Sequence, residues 1–196
     1  MQPLHTALPI AILATIVVIP NSTAQDNYVE GTAGVSSFDS YPVGDKDYNM
    51  IGARFGRNFT PNLALEGEFA VGTSDSNTSF GGSNPETNEP VSVDASQKLC
   101  STYGVFGKAT LPLGDHLTAH VRLGYATSEH ETEGTITYED GSTEKYSSKD
   151  IDPGVAFGVG TAFSFTDQLY ARADATRYEA FYDHIDSFTL GVGFRF

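Results

Sequence analysis

The residues best placed for acid–base chemistry near neutral pH are four histidines beyond the first apolar run: His116, His120, His130 and His184. A hydrolase built on one of them needs a nucleophile and an orienting acid within reach. His184, Asp186 and a nearby serine can be drawn as such a triad. The chain is rich in serine, however, and no spacing selects one, so no catalytic residue is assigned. The stretch EHETEGTITYED brings Glu129, His130, Glu131, Glu133, Glu139 and Asp140 together. Loose capture of divalent cations is one reading. A solvated acidic loop is the expected one, because the spacing matches no known metal loop and no metal ligand is assigned. Gly158-Val159-Gly160 lacks the third glycine and the following helix of a dinucleotide loop, so no cofactor is expected. Cys100 is the single cysteine, which leaves no intrachain disulfide. It reads as an ordinary small residue, with intermolecular pairing as the alternative in an oxidising compartment.

The elements that must carry these residues repeat. Three short turns look alike: NFTPN (Asn58–Asn62), LPLGDH (Leu111–His116) and SFTDQ (Ser164–Gln168). They recur about every 53 residues. Each is flanked by segments that alternate apolar and polar with a period of two, as strands do. Between successive tight turns lie long polar stretches, Asp39–Asp47, Thr73–Lys98, Thr127–Asp150 and Arg177–Ser187. No segment has a convincing helical period. Eight strands are predicted, near 28–38, 48–57, 62–72, 99–111, 116–126, 153–164, 168–177 and 188–196. Tight turns at one end and long loops at the other make an up-and-down antiparallel sheet. Tilted alternating strands of about 9–11 residues suit a membrane-crossing barrel. A bilayer offers no partner to a sheet edge, so the sheet must close. The predicted fold is therefore all-β, an eight-stranded antiparallel up-and-down transmembrane barrel.

The bulk numbers agree. The 196 residues carry a net charge of −14, which argues against nucleic acid as a partner. Mean hydropathy is slightly negative, and no apolar run after the N-terminus is long enough for a transmembrane helix. The N-terminal run ALPIAILATIVVI (Ala7–Ile19) is followed by Pro20 and small residues at Ser22 and Ala24. It reads as a secretion signal with cleavage between Ala24 and Gln25, although His5 stands where a Lys or Arg is usual. The domain reading is a signal peptide over 1–24 and a barrel over 25–196.

Parity assigns the faces. Leu65, Phe69, Val105, Val121, Leu123, Val155, Phe157, Val159, Phe188, Leu190 and Val192 face lipid. The opposite faces carry Glu30, Glu66, Glu68 and Asp174 against Arg54, Lys108, Arg122, Arg172 and Arg195. That near-balance suits a narrow filled lumen, where buried charges must pair. The four long stretches hold 17 of the 25 acids and 5 of the 11 bases, so the negative charge gathers on one rim.

At this point the chain resembles the small OmpA/OmpX-type outer-membrane β-barrel proteins of Gram-negative bacteria. The resemblance is carried by GARFGRNFTPNLALEGEFAVG (Gly52–Gly72), YGVFGKATLPLGDHLTAHVRLGYA (Tyr103–Ala126), YARADA (Tyr170–Ala175) and the terminal LGVGFRF. It implies the outer membrane as location, reached through the periplasm. It implies outer-membrane lipid, lipopolysaccharide, periplasmic chaperones and the barrel-assembly machinery as partners, and a monomer. It marks Glu66, Lys108, Arg122 and Arg172 as interior salt-bridge residues. Ala162 departs from the family pattern, where a Glu is usual, so the pairing is expected to be rewired through Glu68 or Asp174. Phe194 and Phe196 look like the terminal aromatic signal read during assembly. OmpA's peptidoglycan-binding domain is not matched. The functional reading is a structural or surface-interaction barrel, not an enzyme; a narrow pore and a lipid-modifying enzyme are the alternatives.

Overall fold

The computed structural model describes residues 27–40, 44–83, 90–179 and 184–196. The predicted signal peptide and the Ala24–Gln25 cleavage site lie outside the described residues. The strands are β1 (Asn27–Ser40), β2 (Gly44–Thr60), β3 (Leu63–Gly72), β4 (Asp75–Ser83), β5 (Pro90–Pro112), β6 (Leu117–Tyr138), β7 (Thr143–Ser164), β8 (Leu169–Glu179) and β9 (His184–Arg195). Each pairs antiparallel with its neighbour, and the order closes into a ring: β1–β2–β3–β5–β6–β7–β8–β9 and back to β1. The seam joins the first and last strands, β1 and β9. Asn27 N–H donates to the Phe196 carbonyl at 3.1 Å, and Phe196 N–H returns the bond to Asn27 O at 2.8 Å.

Eight strands form the ring, as the alternation predicts. The ninth, β4, is an addition, and among the described residues it pairs only with β5. Here the reading of long loops needs correction. The stretches Thr73–Lys98 and Thr127–Asp150 are mostly strand, not loop. β6 and β7 run on as one hairpin of 22 residues a side. At about 3.4 Å per residue that is roughly twice what a bilayer needs, so half of each strand stands clear of the membrane. Thr132, Thr135, Ile136, Thr137, Tyr138, Val91 and Val93 supply β-propensity there. Their pattern is hidden because water, not lipid, meets one face. At the tip, Gly141 takes a φ of 82°. Asp140 Oδ1 accepts from the Ser142 N–H at 2.8 Å and from its hydroxyl at 2.5 Å, which holds the Asp140 carboxyl below its ordinary value. β4, β5, β6 and β7 thus project as a four-stranded sheet on one side of the barrel.

The first and third tight turns share a mechanism. Thr60 Oγ1 accepts from the Asn62 and Leu63 amides at 3.3 and 3.0 Å. Thr166 Oγ1 accepts from the Gln168 and Leu169 amides at 3.2 and 2.9 Å. The recurring turn motif is therefore a hydroxyl folding the chain onto itself. In the middle turn the same strand-closing bond persists, Leu113 N–H to Leu117 O at 2.9 Å, matching Phe165 N–H to Leu169 O at 2.9 Å.

Facing follows parity. β3 and β9 alternate exposed and buried along most of their length. Val121, Leu123, Val159, Leu190 and Val192 are each more than half exposed. In water such a belt would be untenable; in lipid it is the anchoring surface.

Candidate functional site

The lumen is filled in three layers. The floor is aromatic. Tyr28 and Tyr170 meet edge to face, centroids 6.3 Å apart. Each ring lies over a glycine directly across the strand pair, Gly56 for Tyr28 and Gly193 for Tyr170. A side chain at Gly193 would drive its Cβ to 2.5 Å from the Tyr170 hydroxyl. The two rings also pass the floor's polarity upward: Tyr28 donates to Glu66 at 2.5 Å, and Tyr170 donates to Glu30 at 2.8 Å.

The middle layer is ionic. Arg172 reaches Glu66 at 2.5 Å, Glu30 at 3.3 Å and Asp174 at 2.9 Å. Arg54 donates to Glu68 at 2.5 Å, Asp174 at 2.7 Å, Glu30 at 3.3 Å and the Thr189 hydroxyl at 2.9 Å. Arg122 donates to Glu68 at 2.7 Å while its guanidinium lies 3.8 Å from the Phe106 ring centroid. Lys108 sits 3.0 Å from Glu66, with its ammonium 4.2 Å above the Tyr28 ring. His120 Nε2 meets Asp174 at 2.7 Å, and Tyr178 donates to Glu68 at 2.7 Å. All four acids, Glu30, Glu66, Glu68 and Asp174, are buried, as are Arg54, Arg122 and Arg172. The four acids face four bases on six different strands, so the layer stitches the ring across its width. Glu68 and Asp174 each take two arginines. Arg195 stands apart from this layer. It lies beneath Tyr170, 4.3 Å from the ring centroid, and donates to Ser164 Oγ and the Asp167 carbonyl at 3.2 Å. Arg195 has no ion pair among the described residues, because the strand end carries it to the rim.

The upper layer mixes rings and hydroxyls. Phe38, Tyr48, Leu99, Phe106, Ala126, Ala156, Tyr178 and Ile185 form one buried cluster. Thr102 and Ser128 hydroxyls meet at 3.1 Å, and Ser36 and Ser187 both approach the Met50 sulfur.

The histidines are dispersed. His116 stacks on Phe163 at a tight turn, 6.0 Å between centroids. His120 is held in the ionic layer, and His130 in the upper lumen. His184 lies on the rim, 4.0 Å from Asp186. The Asp186 carboxylate is already taken by Arg177, through bonds of 2.7 and 2.6 Å that hold the Asp186 carboxyl below its ordinary value. The acidic run is also scattered. Glu139 and Asp140 sit in the hairpin tip, and the rest lies on β6, where neighbours point to opposite faces, so Glu129, Glu131 and Glu133 turn outward while His130 turns in. Lys149 pairs with Glu129 on that outer face. Among the described residues no group of three His, Cys, Asp or Glu is placed to hold a metal ion. Cys100 is the extra residue of a bulge, where the β5–β6 register slips between Leu99 and Ser101. Phe194 and Phe196 are about half exposed on the outer face.

Sequence reasoning missed the tyrosines that complete the ionic layer. The signal is present: Tyr28, Tyr170 and Tyr178 all share the parity of the inward charges, and two of them face a cross-strand glycine.

Comparison with known proteins agrees with this architecture. Residues 9–196 match the family described as outer membrane protein beta-barrel domain. No curated protein matches the chain. Among solved structures, the chain is similar to Ail, the attachment invasion locus protein of Yersinia pestis, with a TM-score of 0.58 at 12% identity over 89% of this chain and 100% of that one. It is similar to the outer membrane protein OprG of Pseudomonas aeruginosa, with a TM-score of 0.50 at 12% identity over 90% of this chain and 98% of that one. These likenesses are of fold.

Proposed function

The chain belongs to the outer membrane protein beta-barrel domain family and is an outer-membrane protein, and from that premise we propose that it is a non-conducting anchor displaying an acidic β-sheet at the cell surface. The observation carrying this reading is the paired use of the two halves of the molecule. Below, eight cross-linked charges, seven of them buried and Lys108 half-buried, fill the lumen. Above, β4 to β7 carry a sheet well beyond the membrane. A barrel meant to pass solutes gains nothing from a stitched lumen, and one meant only to anchor gains nothing from strands of twice the needed length. The name of the similar Yersinia protein, an attachment invasion locus protein, fits a display role. In this reading the protein is a monomer and not an enzyme. Lipid and lipopolysaccharide surround it, and periplasmic chaperones with the barrel-assembly machinery deliver it, reading Phe194 and Phe196.

Planar-bilayer recording tests the anchor reading. The expected result is no resolved conductance from pure, heat-modifiable protein. Steady single-channel steps whose size changes when Arg54 is replaced would establish a pore through the lumen instead. Lipid A from a deletion strain, compared with the parent by mass spectrometry, is expected to be unchanged; an altered acyl pattern restored by the intact gene would make the barrel an enzyme.

A further inference from the structure

β1 and β6 stand opposite each other in the eight-membered ring. At the extracellular mouth one pair of side chains crosses that gap. The Phe38 ring of β1 lies against the His130 imidazole of β6, with centroids 5.3 Å apart and planes tilted by 44°. Both are buried, and Leu99, Tyr48 and Ile185 share the cluster that holds Phe38. Neither imidazole nitrogen has a hydrogen-bond partner among the described residues. A neutral ring survives this at modest cost, but an unpaired imidazolium in an apolar cluster does not. A better place for the cation is close by. Asp150 of β7 is the cross-strand partner of His130, and Asp152 follows it on the same face. Among the described residues the other elements packed there present no charge on that face: β5 presents Leu99 across from His130, β1 presents Phe38, β2 presents Tyr48 and β9 presents Ile185, while Asp75 of β4, whose charge reaches Tyr48, is exposed.

We propose that Phe38 and His130 form a proton-operated latch across the barrel mouth, closed while the imidazole is neutral and released toward Asp150 and Asp152 when it is protonated. Opening would unclasp the projecting sheet from the opposite wall without touching the ionic layer below, so the latch is independent of whether the lumen conducts. Burial holds the His130 imidazole below the ordinary histidine value, and Asp152 and Asp150 pull partly the other way. The closed state binds the proton less well than the open one. Its stability is therefore full above the value the imidazole takes beside Asp150 and Asp152 in the open state and falls as the pH drops below that, by at most about tenfold per pH unit for one proton.

The test is a pH titration of the intact protein in lipid nanodiscs between pH 8 and 4.5. It follows the His130 ring proton by NMR together with amide hydrogen exchange, corrected for intrinsic rates, at 36–38 and 126–128. The expected result is one shared midpoint below the ordinary histidine value, loss of the Phe38 ring-current shift, and exchange that rises about tenfold per pH unit through the transition. His130→Phe keeps the ring contact and cannot titrate, so its mouth should stay protected throughout. Asp150→Asn removes the receiving carboxylate, so opening should need a lower pH. Titration of His130 with unchanged protection at Phe38 overturns the proposal. So does opening of His130→Phe over the same range, or of His130→Gln should the phenylalanine variant fail to fold.

Discussion

Replacing Arg54 by methionine isolates what the ionic layer contributes. Arg54 holds Glu68, Asp174, Glu30 and Thr189, which sit on β3, β8, β1 and β9. None of the three acids would be orphaned: Glu68 keeps Arg122 and Tyr178, Asp174 keeps Arg172 and His120, and Glu30 keeps Arg172 and Tyr170. Each nonetheless loses one cation, and four buried acids are left facing three strong bases. Breaking a buried pair from one side costs about 3–5 kcal/mol, and the remaining partners place Arg54→Met toward the lower end. Lys145→Met on the projecting hairpin should cost no more than about 1 kcal/mol, as a solvated surface group. Adding Glu30→Gln to Arg54→Met restores three acids against three bases, and the glutamine can still accept from Arg172 and Tyr170. The double variant should recover more than half of the loss. Urea unfolding in lipid vesicles, read by the mobility difference between folded and unfolded barrel on unheated gels, measures all three. Equal losses for Arg54→Met and Lys145→Met, or a double variant worse than the single, would refute the reasoning that these charges are a closed, mutually compensated set.

The folded barrel should resist sodium dodecyl sulfate and migrate faster before boiling than after, since its ring leaves no free edge within the membrane; identical migration of membrane-inserted protein would contradict closure. Gly193→Val should destabilise it by about 1–3 kcal/mol, because the new side chain meets the Tyr170 ring, and Gly193→Val with Tyr170→Ala should lose less than the two singles combined. Removing Phe196 should lower abundance in the envelope far more than it lowers refolding yield in detergent; parallel losses would reduce Phe196 to a packing residue. N-terminal sequencing of membrane-extracted protein should begin at Gln25, and finding Met1 would dismiss the secretion signal.

The membrane half of the fold was legible because lipid enforces a strict rule. Val121, Arg122, Leu123 and Gly124 must alternate, since a charge on the lipid side would be ruinous. The floor's Tyr–Gly pairs obey the same rule, which is why they could have been read too. The projecting sheet was not legible, because water tolerates Glu129, Glu131, Lys145 and Lys149 on either a strand or a loop. His130 shows the limit most clearly. Its sequence neighbours are acids, which suggests a solvated site, yet the strand turns them away and buries the ring. The pairing partners were also beyond reach. Parity brought Glu68, Asp174, Arg54 and Arg122 to the lumen, but only the register decides that Arg54 spans both acids.

The slip at Cys100 has a consequence for how this surface can change. Below it on β5 the even residues, Thr102 and Phe106, are buried; above it Leu99 is buried and Lys98, Asp94 and Ser92 are exposed. One residue thus resets the phase between the membrane wall and the sheet above it. Deleting one residue above it, Gln97 for instance, would turn the rest of β5 inside out while leaving every lipid contact intact, whereas deleting Cys100 itself would remove the slip and keep Leu99 opposite His130. Adding or removing residues in matched pairs across the β6–β7 tip would do the reverse, altering reach without altering facing. The molecule is in effect two lengths of cloth joined by a single dropped stitch, so natural variation in the outer piece should come in steps of whole rungs, and the stitch is the one place where a lone residue can be lost without reversing the weave.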